Sequence, residues 1–533
     1  MKFGKILVLL LLAGTFIFSQ FNIPIFSIWP SLVALISVVL LRQAFLGLLV
    51  GAISGVILIA NGNPLAAFSL LVKGIILPAL SSNWNLSVLA FTLLLGGFAA
   101  LLEKGGGFES ILQAWTRQSK NLSQKVEWSA FFIGILCFFD GLASSLLAGR
   151  ALRPLADKTG VSRAKLAYLV DSTGSAVTCV AIMSTWIAYQ LSMIREGFIA
   201  AGIPDSQPFT LFLSSIPRNF YCLFTLILVL LTIRKSLNFG AMKKFESSAR
   251  EQFSEADHNN TSHDKNDTKN KSRILIPLAT LLSCLFIGLY RNGVDGSVWP
   301  VTFLKIKQAF GDAQSNIVLL YSSIIACIVA YLFNRKFISS SGSSPTKEFI
   351  RGISQFISPS LVLIAAWCLS GTLRELGATS FLSQALGGSL HPALFPLSVF
   401  LLGVLISFTT GTSWGTMGVL MPLSIPVCLS MAPGSDEMMA AVIAAVFSGA
   451  VFGDHCSPMS DTTIISAVAC EISPYDHFRT QLPYALLAAS VAALAGFIPM
   501  GYGLSPWLCL LLGSIILFLT PIVLKKSFPV SSS

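Results

Sequence analysis

Two carboxylates and a cluster of hydroxyls stand together in a segment whose flanks are long apolar runs. Asp454 and Asp461 are seven residues apart, about two helical turns, so both can line one cavity although Pro458 interrupts the turn. A carboxylate buried in hydrocarbon costs roughly 2.5 to 3.5 kcal/mol, so it normally faces an ion, a partner or a water-filled cavity. A proton and a cation can compete for such a group, which is the minimum chemistry of ion exchange.

The composition indicates lipid as the solvent of most of the chain. Of the 533 residues, 54% are hydrophobic and only 11% are charged, and the mean hydropathy is +0.76. Lipid offers no hydrogen-bond partners, so spans must be helices or a closed barrel, and runs such as 220–233 lack the alternation of a barrel. We therefore predict an all-α polytopic membrane protein with about 11–13 transmembrane helices.

Charge and cysteine usage exclude several other classes. The net charge of +11 comes from Lys and Arg in loops between spans, where they set topology, so we predict no nucleic-acid partner. The ten cysteines are scattered singly, without a CxxC pair or a zinc-type spacing. We predict no cofactor; the expected partners are the lipid bilayer and the transported ions or a small organic solute, and a homodimer is left open.

The chain divides into two apolar halves around a hydrophilic stretch. Residues 1–22 fit a signal-like segment or a first span, and we favour an uncleaved span. The stretch 234–273 is predicted to be a disordered cytoplasmic linker, because it is polar and rich in basic residues. It separates a first transmembrane repeat, 23–233, from a second repeat, 274–524, which a tail at 525–533 follows.

The two halves contain paired features in the same order, which indicates an internal duplication. Residues 138–145 align with 408–413, residues 97–108 loosely with 371–381, and residues 171–175 with 460–463. Basic residues follow the Asp140 segment but not its counterpart, which favours inverted orientations. Against inversion, Lys525 and Lys526 place the C-terminus in the cytoplasm like the linker. We predict inverted repeats whose broken or re-entrant helices meet at a midplane site.

The candidate site combines oxygen ligands with residues that break helices. A cation must exchange its water shell for oxygens, which unwound backbone, Ser, Thr and Asp can supply. The candidate helix breakers are Gly141, Gly174, Gly411 and Pro458. The candidate ligands of Na+ or H+ are Asp461, Asp454, Asp140, Asp171, Ser172, Thr173, Thr412, Ser413, Ser460, Thr462 and Thr463.

Each candidate also has a structural interpretation. Asp140 and Asp171 could cap helices or pair with Arg150 and Arg163. Membrane Ser and Thr residues often bond their own helix backbone. Three residues form a second tier: Ser457; His455, which could relay protons or be a hydrogen-bonded structural histidine; and Glu375, which could simply pair with Arg374.

The segment 452–463, together with 476–484, resembles the NhaC family of Na+/H+ antiporters. Similarity also extends through 27–32, 94–97 and 410–415. The resemblance implies exchange of Na+ for H+ by a transporter built on inverted repeats, although some relatives couple cations to malate, lactate or amino acids. Family members often have Lys followed by an acidic residue where this chain has Arg374 and Glu375, which leaves the role of Glu375 open.

We predict a secondary antiporter of the bacterial inner membrane that exchanges Na+, or Li+, for H+, and not an enzyme. An organic-solute transporter on the same fold is the main alternative. An intramembrane serine hydrolase is a further alternative, because residues 411–415 satisfy G-x-S-x-G and His455 could complete a triad. That pattern belongs in a strand-turn-helix elbow, whereas here it lies in an apolar run.

Overall fold

The computed structural model describes residues 2–21, 23–107, 122–204, 206–255, 271–387 and 390–527. Within these ranges the chain is helical and contains no β-strand. The first half also contains a π-helical segment, Leu70–Ile76. The first half comprises α1 (Lys2–Phe18), α2 (Trp29–Leu41), α3 (Ala44–Ile59), α4 (Pro64–Ser69), α5 (Leu77–Ser81), α6 (Asn83–Lys104), α7 (Leu122–Leu136), α8 (Gly141–Asp157), α9 (Arg163–Val180), α10 (Ile187–Ala200), α11 (Pro208–Ser215) and α12 (Phe220–Lys235).

The second half follows a helix that lies in the hydrophilic stretch between the halves. That helix is α13 (Ala241–Glu255). The remaining helices are α14 (Ser272–Gly293), α15 (Phe303–Asp312), α16 (Ser315–Ser340), α17 (Pro345–Gln355), α18 (Ile357–Glu375), α19 (Ala378–Gly387), α20 (Phe395–Thr410), α21 (Ser413–Met431), α22 (Asp436–Cys456), α23 (Asp461–Ala469), α24 (Pro474–Val491), α25 (Ile498–Gly501) and α26 (Pro506–Ser527).

The lengths of these helices match the thickness of a bilayer. Among the described residues, ten helices are long and apolar enough to cross a membrane, and one bent pair, 208–218 with 220–235, raises the number to eleven. Three shorter apolar helices, 4–18, 44–59 and 506–520, add to this set. The predicted all-α polytopic membrane protein is confirmed.

The first repeat contains a hairpin and a broken helix. Helices α7 and α8 form the hairpin, and the Asp140 side chain caps α8 by accepting the N–H groups of Leu142 and Ala143. Helices α9 and α10 form the broken helix, with residues 181–186 between them. The N–H of Thr185 in this break donates to the carbonyl of Phe139 at the hairpin tip over 2.8 Å. The tip therefore packs on the break of its own repeat.

The second repeat has the same pair of features. Helices α20 and α21 form the hairpin, and Gly411 at its tip has a φ of +68°, which a side chain would strain. Helices α22 and α23 form the broken helix around residues 457–460. A Cβ at Gly411 would lie 3.2 Å from Ser457 Oγ, so this tip also packs on its break.

Ion pairs show which helix ends share a face of the protein. Glu471, just after α23, lies 2.7 Å from Arg153 in α8 and 3.2 Å from Arg163 in α9. Glu246 of α13 contacts Ser162 beside them, so we call this side the linker face. The first hairpin opens at the linker face. Helix α22 leads through its break into α23, which ends beside Glu471 at the linker face, so α22 starts at the opposite face. The second hairpin, whose helix α21 precedes α22, therefore opens at that opposite face, and the two repeats are inverted.

Corresponding helices of the two repeats run in opposite directions when the first repeat is taken as α2 to α12 and the second as α14 to α25. In this arrangement α26 is an added helix, which returns the chain to the linker face. Lys525 and Lys526 lie near its end. Lys525 and Lys526, whose cytoplasmic charge argued against inversion, therefore belong to a helix outside the two repeats.

The expectation that all of 234–273 is disordered is wrong for its first part. Helix α13 occupies 241–255, and its residues Met242 and Glu246 are buried against the membrane helices. The prediction rested on the polar composition of the whole stretch. Composition does not show that Met242 and Glu246 lie four residues apart and therefore on one helix face.

Glycines allow helices α20 and α22 to approach closely. A Cβ at Gly449 would lie 2.8 Å from the Cα of Gly403, and a Cβ at Gly453 would overlap Ser407. We expect Gly453→Val to destabilise the protein by about 2 kcal/mol, because the added atoms force the two helices apart. The measurement is the thermal unfolding midpoint in detergent. Gly14→Val is the matched control, since a Cβ there meets nothing within 4 Å; equal midpoints for the two variants would contradict the prediction.

Candidate functional site

Asp454 is a buried carboxylate beside the break in α22–α23. It lies in the last turn of α22, and its side chain is only 3% exposed. Its Oδ1 accepts a hydrogen bond from Ser460 Oγ over 3.4 Å, and the Ser413 side chain at the tip of the second hairpin lies beside the carboxylate. Within the described part of the chain, its Oδ2 has no hydrogen-bond partner. One oxygen of this carboxylate is therefore free to bind an ion or a proton.

The hydroxyls of the break satisfy backbone groups that the helix leaves open. Thr462 and Thr463 donate to the main-chain carbonyl of Asp454 over 3.0 Å and 2.7 Å. Ser460 Oγ lies 3.1 Å from Thr462 Oγ1, and Ser457 Oγ accepts the Met459 N–H over 3.4 Å. Pro458 lies within the break. The two threonines thus hold the break in shape, and only Ser460 of this set reaches the carboxylate.

Asp171 is a second buried carboxylate, and it joins the two repeats. It lies in the middle of α9 and is 0% exposed. It accepts hydrogen bonds from Gln481 Nε2 over 2.7 Å and from Ser466 Oγ over 3.2 Å, and His477 Nε2 lies 3.2 Å from its Oδ2. Helices α23 and α24 of the second repeat thus hold a carboxylate of the first.

Ser466, His477 and Gln481 were not among the site residues predicted from the sequence. A signal for two of them was present, because 476–484 belongs to the family-like segment and His477 and Gln481 lie four residues apart on one helix face. Gln481 Nε2 also donates to the main-chain carbonyl of His455 over 3.0 Å. The amide therefore connects the Asp171 cluster to the helix end that carries Asp454.

His455 has a partner outside the proposed hydrolase triad. Its Nδ1 lies 2.9 Å from the Tyr221 hydroxyl, whereas the Ser413 side chain lies beside Asp454. Its Nε2 is buried and has no hydrogen-bond partner among the described residues. The contacts of Ser413 and His455 are therefore different from those of a serine–histidine pair.

The hairpin tips carry two further candidates as helix caps. Asp140 is buried, and its Oδ1 accepts the N–H of Leu142 over 2.9 Å and that of Ala143 over 3.1 Å. Thr412 caps α21 in the same way through the N–H of Gly415 over 3.2 Å. The structure thus places Asp140 in the capping role that the sequence left open, at a position equivalent to Thr412.

Asp461 lies next to the buried cluster and not inside it. It is the first residue of α23 and is exposed, on the same helix face as the exposed side chains of Ile464 and Val468. Glu375 is more distant from the cluster, since it ends α18 at the opposite face and is exposed. The structure brings together Asp454, Ser413 and Ser460, with Asp171 close by.

Two expectations for the segment 171–175 are corrected. Gly174 does not break a helix, because α9 continues through it to Val180, and its lack of a side chain instead lets Gly141 approach. The alignment of 171–175 with 460–463 is also wrong: Asp171 precedes the break of its repeat, whereas Asp461 follows the break of the other. Glycine alone was an unreliable signal because it serves close packing as often as kinking.

Thr173 is buried beside Asp171, as is Ser172, but its hydroxyl is already used. It donates to the Leu169 carbonyl over 2.7 Å, and the side chain packs on Gly134 of α7. We expect Thr173→Val to leave the transport rate within about twofold of the parent, since only an intrahelical bond is lost. Initial rates in proteoliposomes measure this. A loss of tenfold or more would return Thr173 to the ligand set.

Comparison with known proteins places the chain in a family. The model of the Na+/H+ antiporter family matches residues 177–502, more than half of the chain, including the second hairpin, the Asp454 break and Gln481. The chain belongs to the Na+/H+ antiporter family. Members of this family are transporters, which makes the chain a secondary transporter of the membrane.

Individual relatives agree with this family. An uncharacterised protein of Haemophilus influenzae is 29% identical over 492 residues, which cover 91% of this chain and 92% of the relative. The Na+/H+ antiporter NhaC of Alkalihalophilus pseudofirmus is 30% identical over 168 residues, 30% of this chain and 33% of the relative. The malate-2H+/Na+-lactate antiporter of Bacillus subtilis is 29% identical over 145 residues, 27% of this chain and 30% of the relative. The resemblance to NhaC is confirmed.

A solved structure shows the same fold. The crystal structure of the Alcanivorax borkumensis YdaH transporter matches with a TM-score of 0.54 and 17% identity, covering 84% of this chain and 90% of that chain. At this identity the match concerns the arrangement of helices alone.

Proposed function

We propose that this transporter exchanges Na+ for H+ by alternating access, with Asp454 as the group that binds either ion. The observation that carries the proposal is the free Oδ2 of a carboxylate that is almost completely buried. A charged carboxylate without a partner is costly at this depth, so it must hold a cation or a proton. Membership of the Na+/H+ antiporter family supports the same pair of ions.

The surroundings of Asp454 suit a small hard cation. Ser460 from the break donates to the carboxylate, Ser413 from the hairpin tip lies beside it, and both can offer hydroxyl oxygens. The carbonyls of the break add main-chain oxygens that no helix consumes. Because Na+ and H+ occupy the same carboxylate, binding of one releases the other, and exchange follows without a further coupling device.

The orientation of the protein follows from its basic residues. Lys158, Lys244, Lys336 and Lys347 are exposed, and each lies near or just beyond a helix end at the linker face. Lys and Arg accumulate on the cytoplasmic side of membrane proteins. We therefore propose that the linker face is cytoplasmic, in a bacterial inner membrane, which agrees with the bacterial source of the relatives named above.

The test is an ion-exchange assay on purified protein in proteoliposomes with an acidic interior. Added Na+ or Li+ is expected to dissipate the pH gradient, and K+ is not, with protein-free liposomes as the control. A protein that ignores every cation until malate, lactate or an amino acid is added would contradict the proposal. That result would establish the organic-solute alternative, which the name of the Bacillus subtilis relative illustrates.

A further inference from the structure

The linker helix α13 is docked on the transport domain along one face. Met242 and Glu246 on this face are buried, whereas Lys243, Lys244 and Ser247 on the other side are exposed. Residues four apart in a helix lie on one side, so α13 is amphipathic and presents its apolar stripe to the membrane helices.

The chain leading into α13 is anchored to α24 as well. The Tyr484 hydroxyl donates to the Leu237 carbonyl over 3.2 Å and accepts the Phe239 N–H over 3.2 Å. The rings of Phe239 and Tyr484 stack with centroids 3.9 Å apart. Helix α24 also carries His477 and Gln481, so the linker is attached to a helix that holds Asp171.

Glu246 makes the central contact of the docked helix. It is 2% exposed, and its Oε1 accepts the N–H of Ser162 over 2.8 Å at the start of α9. Its Oε2 lies 3.9 Å from Lys165 Nζ, which is itself 2.7 Å from Glu127 in α7. Arg250, largely exposed, lies 4.0 Å from the same Oε2. A side chain of the linker thus caps α9 and enters a buried charge cluster with the first hairpin.

This cluster lies on the helix that carries Asp171. Lys165 is six residues before Asp171, a rise of about 9 Å along α9. Glu127, Lys165 and Glu246 hold two carboxylates and one ammonium group, and Arg250 offsets part of this charge only from a largely exposed position, so the buried part of the cluster is negative. A negative charge in this part of the protein attracts a cation more strongly than it would in water, because the surroundings screen it less.

We propose that Glu246 is a positioning residue of the transporter, and that the docked α13 increases the affinity of the Asp454 site for its cation. It does so by fixing the linker-face end of α9 and by placing a carboxylate beneath Asp171. The transport part of this inference rests on the proposed exchange of Na+ for H+. The docking part concerns the linker alone.

The test compares Glu246→Gln with Glu251→Gln, an exposed glutamate of the same helix. Hydrogen–deuterium exchange of 241–251 in the purified full-length protein reports docking, and Na+ titrations of proteoliposomes at alkaline pH, where protons compete least, report affinity. In Glu246→Gln we expect the amide hydrogens of 241–251 to exchange with deuterium at least about tenfold faster. We also expect the apparent KM for Na+ to rise by about threefold to tenfold with Vmax nearly unchanged. Glu251→Gln should match the parent in both measurements.

Two outcomes would overturn the inference. Unchanged deuterium exchange in Glu246→Gln would show that this carboxylate does not hold α13 in place. Faster deuterium exchange with an unchanged KM for Na+ would show that α13 docks on the protein without affecting cation affinity. Glu246→Asp, which keeps the charge but shortens its reach, should recover part of the Na+ affinity, whereas a merely structural role would lower Vmax instead. If the parent itself shows no Na+ response, the exchange function has failed and the deuterium measurement still decides the docking.

Discussion

Asp454→Asn is expected to reduce Na+-dependent exchange by about 100-fold or more. Asn has almost the same shape, so the contacts with Ser460 and Ser413 can persist, but an amide neither neutralises a buried cation nor releases a proton. Breaking a buried charge pair costs about 3–5 kcal/mol, and each 1.4 kcal/mol is tenfold in affinity. The measurement is the initial rate of gradient dissipation on addition of Na+.

Two controls make this result specific to the buried carboxylate. Asp312→Asn removes the same charge from an exposed helix end and should leave the rate unchanged. Asp461→Asn should change the rate by less than about fivefold, because Asp461 lies outside the buried cluster that Asp454 forms with Ser460. If Asp461→Asn were inactive and Asp454→Asn active, the exposed carboxylate would be the ion-binding group, as the sequence analysis favoured.

Asp171→Ala is expected to lower the unfolding free energy by about 3–5 kcal/mol, since three buried side chains lose their acceptor. Those side chains are Ser466, His477 and Gln481, which fix α23 and α24 to α9. Thermal unfolding of the purified protein in detergent should show a clearly lower midpoint. Asp171→Asn keeps an acceptor and should lie between this variant and the parent. A midpoint equal to that of the parent would show that the cluster does not hold the helices together.

The fold could be predicted from the sequence because the solvent constrains it strongly. In lipid every backbone group needs an internal partner, so apolar runs of spanning length become helices. The hairpin tips at Asp140 and Gly411 were visible because glycine and a capping side chain interrupt apolar runs. The added helix α26 was harder to recognise, since only the direction of the other helices shows that it lies outside the repeat.

The candidate site could be predicted only in part. Asp454 and Ser460 were named together because they lie close in sequence, and the same closeness placed Asp461 beside them, although Asp461 is exposed and lies outside the cluster. The partners of Asp171 were missed because 295 to 310 residues separate them from it. Helical periodicity describes one element at a time and carries no information about which helices become neighbours.

A ribosome makes Asp171 long before it makes the side chains that bind it. Ser466 follows 295 residues later, an interval of about 15–60 s at ordinary rates of synthesis. During that time α9 holds a carboxyl group without its donors, and lipid supplies none. The packing of α9 can therefore be completed only after the last helices have been synthesised. In a chain that ends before Ser466, Asp171 has none of these donors and α9 is not stably packed in the bilayer.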